Sequence, residues 1–180
     1  SRGPNEQNMV PMKVLNVFMV HRVMPEPMPG AVSMIMLRRQ LRYLRQHYHV
    51  LTCGELIAWL DGVFETPRPC AAVTFDDGWF DNYLYATPVL RECGVQGILA
   101  WSSGFLHDAK YRADPHRDAS RPSEEACRRA LYDNDCSAFL TPREVREMSS
   151  SGVWCFQAHG TRHVRHYKTL QSGLRHGISP

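Results

Sequence analysis

Strand-length apolar segments alternate along this chain with segments of helical periodicity, and this alternation limits the fold more than any other feature. The four apolar segments are residues 14–20, 70–75, 97–101 and 153–158. Alternation of this kind is typical of proteins in which helices cover a parallel sheet. The sequence therefore predicts an α/β fold with parallel strands.

The helical segments carry recognisable start signals. Thr52 is followed three residues later by Glu55, and Thr141 by Glu144, so each pair can form a capping box. A further helix from about residue 33 has an apolar stripe formed by Leu37, Leu41, Leu44 and Tyr48. Residues 102–122 are polar and show no period, so we predict a long loop over one end of the fold.

Length and charge narrow the range of functions. A chain of 180 residues is long enough for one domain with a hydrophobic core. The 21 Lys and Arg residues nearly balance the 18 Asp and Glu residues, and this balance argues against binding nucleic acid. No apolar run approaches the roughly 18–20 residues that a transmembrane helix needs. We expect no nucleic-acid partner and no transmembrane segment, and a periplasmic or extracellular location rather than a cytoplasmic one.

The six cysteines include no CxxC pair, which argues against a zinc ribbon or a thioredoxin-type site. Cys70, Cys93 and Cys155 lie in apolar strand or helix segments, and we predict that they are buried free thiols. A disulfide such as Cys127–Cys136 is left open, because sequence spacing does not establish disulfide pairing.

Two adjacent carboxylates follow the second apolar segment directly, in the sequence Asp76-Asp77-Gly78. Neighbouring side chains of an extended segment point to opposite sides, so one aspartate can bind a cation while the other acts as a base. Gly78 permits the positive φ of a sharp turn after the strand. Active sites of α/β proteins lie at the carboxyl ends of strands, although an Asp-Asp-Gly triplet taken alone is also compatible with an ordinary turn.

A second polar cluster, His159-Gly-Thr-Arg-His163, follows the last apolar segment. Histidines four residues apart lie on one face of a helical turn, close enough for both imidazoles to reach one metal ion. The alternative is a pair of exposed loop histidines, since His166 and His176 continue a segment rich in His and Arg. One carboxylate and two imidazoles together make a three-ligand set with open positions for water, the arrangement of a catalytic metal site.

The combination of a strand ending in Thr-Phe-Asp-Asp-Gly with a later strand ending in His-x-x-x-His resembles the polysaccharide deacetylases of the NodB-homology type, carbohydrate esterase family 4. Three other segments are similar to that family: residues 20–23, 88–94 and 140–148. The resemblance spans about residues 13–166 and implies a distorted (β/α) barrel. The segment before the aspartates is similar to a bacterial subgroup that acts on exopolysaccharide such as poly-N-acetylglucosamine.

The resemblance implies a role for the residues of the two polar clusters. Asp77, His159 and His163 would bind the metal. His166 is an alternative to His163 as the second imidazole. Asp76 would be the general base. Zinc is the expected metal for mixed nitrogen and oxygen ligands, although such sites also accept cobalt or nickel. The reaction would be hydrolysis of N-acetyl groups of an amino-sugar polysaccharide, with release of acetate.

The sequence also departs from the family pattern. Gly160 follows the first histidine where the family has Ser or Thr, which would weaken the orientation of the imidazoles. The family domain continues past the histidines into strands that carry an arginine and a Leu-x-His general acid, and residues 174–176 follow His163 too closely to be that motif. We therefore expect an N-terminal extension (residues 1–12) and a deacetylase domain (residues 13–180) whose C-terminal strands are missing. Such a domain would be a partial barrel, and we expect it to be poorly active alone.

Two alternatives come from other classes of protein. One is a non-catalytic carbohydrate-binding module or pseudo-enzyme that retains the metal site but lacks the general acid. The other is a nucleic-acid binder that uses the Arg-rich first helix and the tail rich in His and Arg, for which a net charge of +3 offers little support.

Overall fold

The computed structural model describes residues 14–161, in which strands and helices alternate. Its strands are β1 (Leu15–Val20), β2 (Arg22–Met24), β3 (Ala31–Ser33), β4 (His49–Val50), β5 (Cys70–Asp77), β6 (Gly97–Trp101) and β7 (Trp154–Ala158). Its α-helices are α1 (Met34–His47), α2 (Cys53–Leu60), α3 (Thr87–Cys93), α4 (Pro115–Ser120), α5 (Ser123–Tyr132) and α6 (Pro142–Ser150). A π-helical turn covers Asn82–Ala86, and a 3₁₀ turn covers Ser103–Phe105. The predicted α/β class is confirmed.

The main sheet is parallel throughout, with the strand order β1-β5-β6-β7 and with β4 paired to the first two residues of β5. Each predicted apolar segment forms one of the strands β1, β5, β6 and β7. Because these strands run in one direction, their carboxyl ends lie at the same edge of the sheet. Asp77 is in register with Trp101, and Trp101 with Ala158. We refer to this edge as the carboxyl edge. Strands β2 and β3 form a separate small parallel sheet.

The main sheet is open in the part of the chain that the structure describes, with β1 and β7 as its edge strands. Unpaired edges of this kind leave backbone and apolar side chains uncovered, and Val17 and Met19 of β1 are 57% and 60% exposed. The predicted extension, residues 1–12, lies outside the described residues, and the expectation of missing C-terminal strands stays a prediction. None of the described helices is long and apolar enough to span a membrane.

The core lies between the main sheet and helices α1, α3 and α6. Both predicted capping boxes form, at the starts of α2 and α6. Leu37, Leu41 and Leu44 of α1 are buried as predicted, and burial of each such side chain stabilises the fold by about 1.5–3 kcal/mol. Gly97 begins β6 beneath the ring of Trp154, and a Cβ atom at this position would lie 2.6 Å from a ring carbon. Glycine is therefore required for this tryptophan to pack.

The segment 102–122 is more ordered than the predicted loop, because it contains the short helix α4. The side chain of Arg112, which is 4% exposed, anchors the segment by donating to both carboxylate oxygens of Glu144 on α6, at 2.7 and 2.8 Å. Its guanidinium also lies 3.5 Å from the centroid of the Phe80 ring. The prediction of an aperiodic loop was wrong here because these anchoring contacts come from distant parts of the chain, which local periodicity does not report.

The cysteines follow the prediction only in part. Cys53 and Cys155 form a disulfide, with a Cα–Cα distance of 6.2 Å, so the prediction of a free thiol at Cys155 was wrong. Cys70 and Cys93 are buried free thiols, as predicted. The alternative pairing Cys127–Cys136 is not formed, and both of these thiols are free. The disulfide joins the start of α2 to the edge strand β7.

Candidate active site

The two predicted aspartates lie where β5 ends at the carboxyl edge. Asp76 is half-buried and Asp77 is buried. The sharp turn predicted at Gly78, which has a φ of 85°, begins one residue earlier, since Asp77 itself has a φ of 74°. A Cβ atom on Gly78 would lie 3.2 Å from Cβ of Trp101 on the neighbouring strand. The turn therefore needs glycine for conformation and for space, and it holds Asp77 in a conformation that non-glycine residues rarely adopt.

His159 follows β7 directly, as predicted. Its backbone N–H donates to the carbonyl oxygen of Trp101 at 3.0 Å, which extends the strand pairing by one residue. The next residue, Gly160, has a φ of 92°, and its carbonyl oxygen accepts from the N–H of Ser103 at 3.2 Å. Gly160, which departs from the family pattern, therefore permits a turn that fastens this segment to the residues after β6.

Asp77 and His159 converge across the end of β6. Asp77 ends β5 and His159 follows β7, and β6 lies between these two strands, so the two backbones are about 10 Å apart laterally. Their side chains close this distance, since Nε2 of His159 lies 3.6 Å from Oδ1 of Asp77. This separation is long for a hydrogen bond. Two ligands at about 2.1 Å from a tetrahedral zinc ion are about 3.4 Å apart, so the pair is spaced as two ligands of one metal ion.

The remaining predicted ligand is not tested by the structure. His163, and its alternative His166, lie outside the described residues. Among residues 14–161 there is no group of three His, Cys, Asp or Glu side chains arranged to hold a metal ion. The residues that are described fit the metal through the spacing and donor types of Asp77 and His159, and the third ligand stays a prediction.

The structure adds one residue that the sequence analysis did not assign to the site. His21 follows β1 directly, and β1 pairs with β5 so that Val20 is opposite Phe75. His21 is therefore beside Asp76, and its Nε2 lies 4.0 Å from Oδ2 of Asp76. The signal was present in the sequence, because His21 is a polar residue directly after an apolar strand. Only the pairing of β1 with β5 identifies its neighbour.

A cleft of about 270 Å³ opens beside His21 and Asp77. Its lining includes His21 and Asp77 together with Trp79, Phe105, Cys127 and Phe139. Burial, and to a smaller extent the nearby Asp77 carboxylate, raise the pKa of the Cys127 thiol. At neutral pH this thiol is therefore protonated and adds an uncharged surface to the cleft.

Several solved structures are similar to this chain in fold. A de-N-acetylase from Aggregatibacter actinomycetemcomitans is 22% identical with a TM-score of 0.60, and the alignment covers 81% of this chain and 54% of that one. IcaB from Ammonifex degensii is 25% identical with a TM-score of 0.60, with coverages of 81% and 52%. The deacetylase PplD from Streptococcus pyogenes is 21% identical with a TM-score of 0.57, with coverages of 83% and 57%.

Residues 64–179 match the family model of polysaccharide deacetylase. The chain belongs to the polysaccharide deacetylase family, as the two polar clusters predicted. It spans about half the length of the solved relatives named above. A sequence comparison with curated proteins gave no significant match.

Proposed function

We propose that this chain carries the catalytic edge of a metal-dependent hydrolase that removes N-acetyl groups from an amino-sugar polysaccharide and releases acetate. The observation that supports this most directly is the 3.6 Å separation between Oδ1 of Asp77 and Nε2 of His159, with Asp76 and His21 beside them. Membership of the polysaccharide deacetylase family points to the same reaction.

In this proposal Asp77, His159 and His163 hold the metal, with His166 as the alternative to His163. Zinc suits one carboxylate and two imidazoles, and cobalt or nickel would also be accepted. When bound, the metal supplies Lewis-acid polarisation of the acetamide carbonyl and a lowered pKa of the attacking water.

The proton transfers fall to the two groups beside the metal ligands. Asp76 takes one proton from the attacking water as its oxygen bonds to the acetamide carbon. His21, 4.0 Å from Asp76, is placed to give a proton to the amide nitrogen as the carbon–nitrogen bond breaks. The products are acetate and a free amine on the sugar. In this proposal His21 is the general acid.

Two more specific proposals concern the polysaccharide that serves as substrate and the compartment in which the protein acts. Similarity to IcaB, at 25% identity over 81% of the chain, supports an exopolysaccharide such as poly-N-acetylglucosamine as the substrate. The Cys53–Cys155 disulfide supports a periplasmic or extracellular location, because disulfides persist mainly in oxidising compartments. A polysaccharide outside the cytoplasm and an oxidising environment are consistent with each other.

Acetate release from N-acetylated glucosamine oligomers tests this function. The Asp76→Asn variant should lose activity by about 10²- to 10⁴-fold, because it removes the base, while it still binds Zn²⁺. Asp61→Asn, at the exposed C-terminal end of α2, is the matched control and should retain wild-type activity. Measurable acetate release by wild type that Asp76→Asn leaves unchanged would contradict the proposed mechanism, and Zn²⁺ binding by wild type without any acetate release would favour the non-catalytic module.

A further inference from the structure

The Asp77 carboxylate has a second neighbour besides His159, and this neighbour is buried. Trp79 lies two residues further along the chain and is only 2% exposed. Its indole Nε1–H donates to Oδ2 of Asp77 at 3.0 Å. The indole N–H can only donate a hydrogen bond, so Oδ2 of Asp77 is the acceptor. The other oxygen, Oδ1, is the atom that lies 3.6 Å from Nε2 of His159. The indole thus sets which carboxylate oxygen faces the imidazole.

The position of the indole ring is itself determined by two contacts. The Phe139 ring stacks on it, with a centroid separation of 4.5 Å and an interplanar angle of 25°. The guanidinium carbon of Arg22 lies 4.6 Å from the Trp79 ring centroid. The backbones of Trp79 and Phe139 also form an isolated antiparallel bridge. Ring and backbone are therefore held together, and the indole N–H has little freedom to turn away from Asp77.

Arg22 is anchored as firmly as the ring that it contacts. It is 1% exposed, and its Nε donates to Oδ2 of the fully buried Asp81 at 2.7 Å. Its terminal nitrogens donate to the carbonyl oxygens of Ala119 and Arg121 and to Oγ of Ser123. A guanidinium with this many fixed partners has a defined plane. The contacts therefore form one connected series from Asp81 through Arg22 and Trp79 to the candidate metal ligand.

We propose that Trp79, held by Arg22 and Phe139, is a positioning residue that presents Oδ1 of Asp77 to the metal ion. The inference rests on the proposed function, since it assigns a role to the hydrogen bond only if Asp77 is a ligand. Groups that donate to ligating side chains orient them. The need for such a contact is clear at Asp77, because its φ of 74° persists only where the surroundings impose it.

The test is the affinity of the 180-residue chain for Zn²⁺, measured by competition with a fluorescent chelator. Trp79→Phe keeps an aromatic ring but removes the N–H, and it should weaken Zn²⁺ binding by about 10- to 100-fold. Trp154→Phe is the matched control, because its indole is also buried and donates to Oγ1 of Thr87 at 3.0 Å, away from the metal ligands. It loses a hydrogen bond of the same kind, and its Zn²⁺ affinity should equal that of wild type.

A second measurement covers the case in which Trp79→Phe does not fold. The chain contains four tryptophans, so the wild-type ¹H–¹⁵N spectrum holds four indole resonances, which the Phe variants of Trp59, Trp101 and Trp154 assign. Zn²⁺ should shift the Trp79 indole resonance and leave that of Trp154 in place. An unshifted Trp79 resonance, or wild-type Zn²⁺ affinity in folded Trp79→Phe, would overturn this inference and leave the proposed function intact. Absence of Zn²⁺ binding by wild type would instead refute the proposed function, and the inference with it.

Discussion

Replacement of Arg22 by methionine leaves the buried Asp81 carboxylate without its neutralising cation, and the resulting loss of stability can be measured. Arg22 and Asp81 are 1% and 0% exposed and form an ion pair at 2.7 Å. Methionine fills much of the same space but leaves the Asp81 carboxylate buried without a cation. Removal of one partner from a buried ion pair costs about 3–5 kcal/mol, and we expect the Arg22→Met variant to lose stability in this range at pH 7.

The size of this loss can be checked against the titration of Asp81. Burial raises the pKa of Asp81 to about 6, although Arg22 and hydrogen bonds from Val23 and Asn82 oppose this rise. Without Arg22 the pKa rises further, so the folded variant takes up a proton at pH 7. The unfolded chain does not hold that proton, because its carboxyl has the ordinary pKa of 3.8. Protonation of such a carboxyl costs about 4.4 kcal/mol at pH 7 and about 1.6 kcal/mol at pH 5.

The sign of the pH dependence follows from proton uptake on folding. Between pH 5 and pH 7 the folded variant binds more protons than the unfolded chain, so its free energy of unfolding rises as the pH falls. Arg22→Met combined with Asp81→Asn has no carboxylate to protonate, and it loses the same other contacts of Arg22. The double variant should therefore be more stable than the single variant at pH 7, and the gap should shrink by about 2.7 kcal/mol at pH 5.

Urea unfolding of both variants at pH 5 and pH 7 measures this gap directly, because titration of other groups affects both variants equally. A gap that is the same at the two pH values would show that the buried charge is not the source of the loss. A single variant as stable as wild type at pH 7 would refute the whole argument.

Two further predictions concern stability elsewhere in the fold. Replacing both Cys53 and Cys155 by serine removes a cross-link between residues 102 positions apart, and the free energy of unfolding should fall by up to about 5 kcal/mol. Reduced wild type should unfold at the same urea concentration as this variant. A clear difference between the two urea midpoints would contradict the prediction. Burial alone would raise the pKa of Asp135, but hydrogen bonds from Ser137 and the Arg129 guanidinium outweigh it and hold the pKa well below 3.8. Because the folded-state pKa is lowered, the stabilisation by this carboxylate is complete above about pH 4 and is lost as the pH falls further. Asp135→Asn should therefore lower the free energy of unfolding by about 1–3 kcal/mol at pH 7. In acid unfolding experiments the stabilities of the variant and wild type should become equal.

Local rules predicted that the aspartates and the first histidine lie at the carboxyl edge of the sheet. Asp76, Asp77 and His159 each follow an apolar segment of the sequence, and parallel strands bring their carboxyl ends to one edge of the sheet. The same rule applies to His21, but it does not reveal which strands are neighbours. The register of Val20 with Phe75 was needed to place His21 beside Asp76.

The features that were missed share a physical cause. The disulfide of Cys155 and the anchoring of Arg112 by Glu144 join residues 102 and 32 positions apart. Neither is visible in hydrophobic periodicity, which reports only which face of a segment is buried. The hydrogen bond from Trp79 to Asp77 is local, yet its acceptor oxygen is determined by the conformation of the turn.

The amino-acid sequence by itself determined the α/β class, the strands, the capped helices and the residue types of the site, because these depend on patterns within a few residues. Only the tertiary structure decided that the Asp77 carboxylate meets the His159 imidazole across β6, that His21 joins Asp76, and that Trp79 is held by Arg22. Side-chain convergence depends on which strands pair and in what register, and pairing is set by the packing of the whole core.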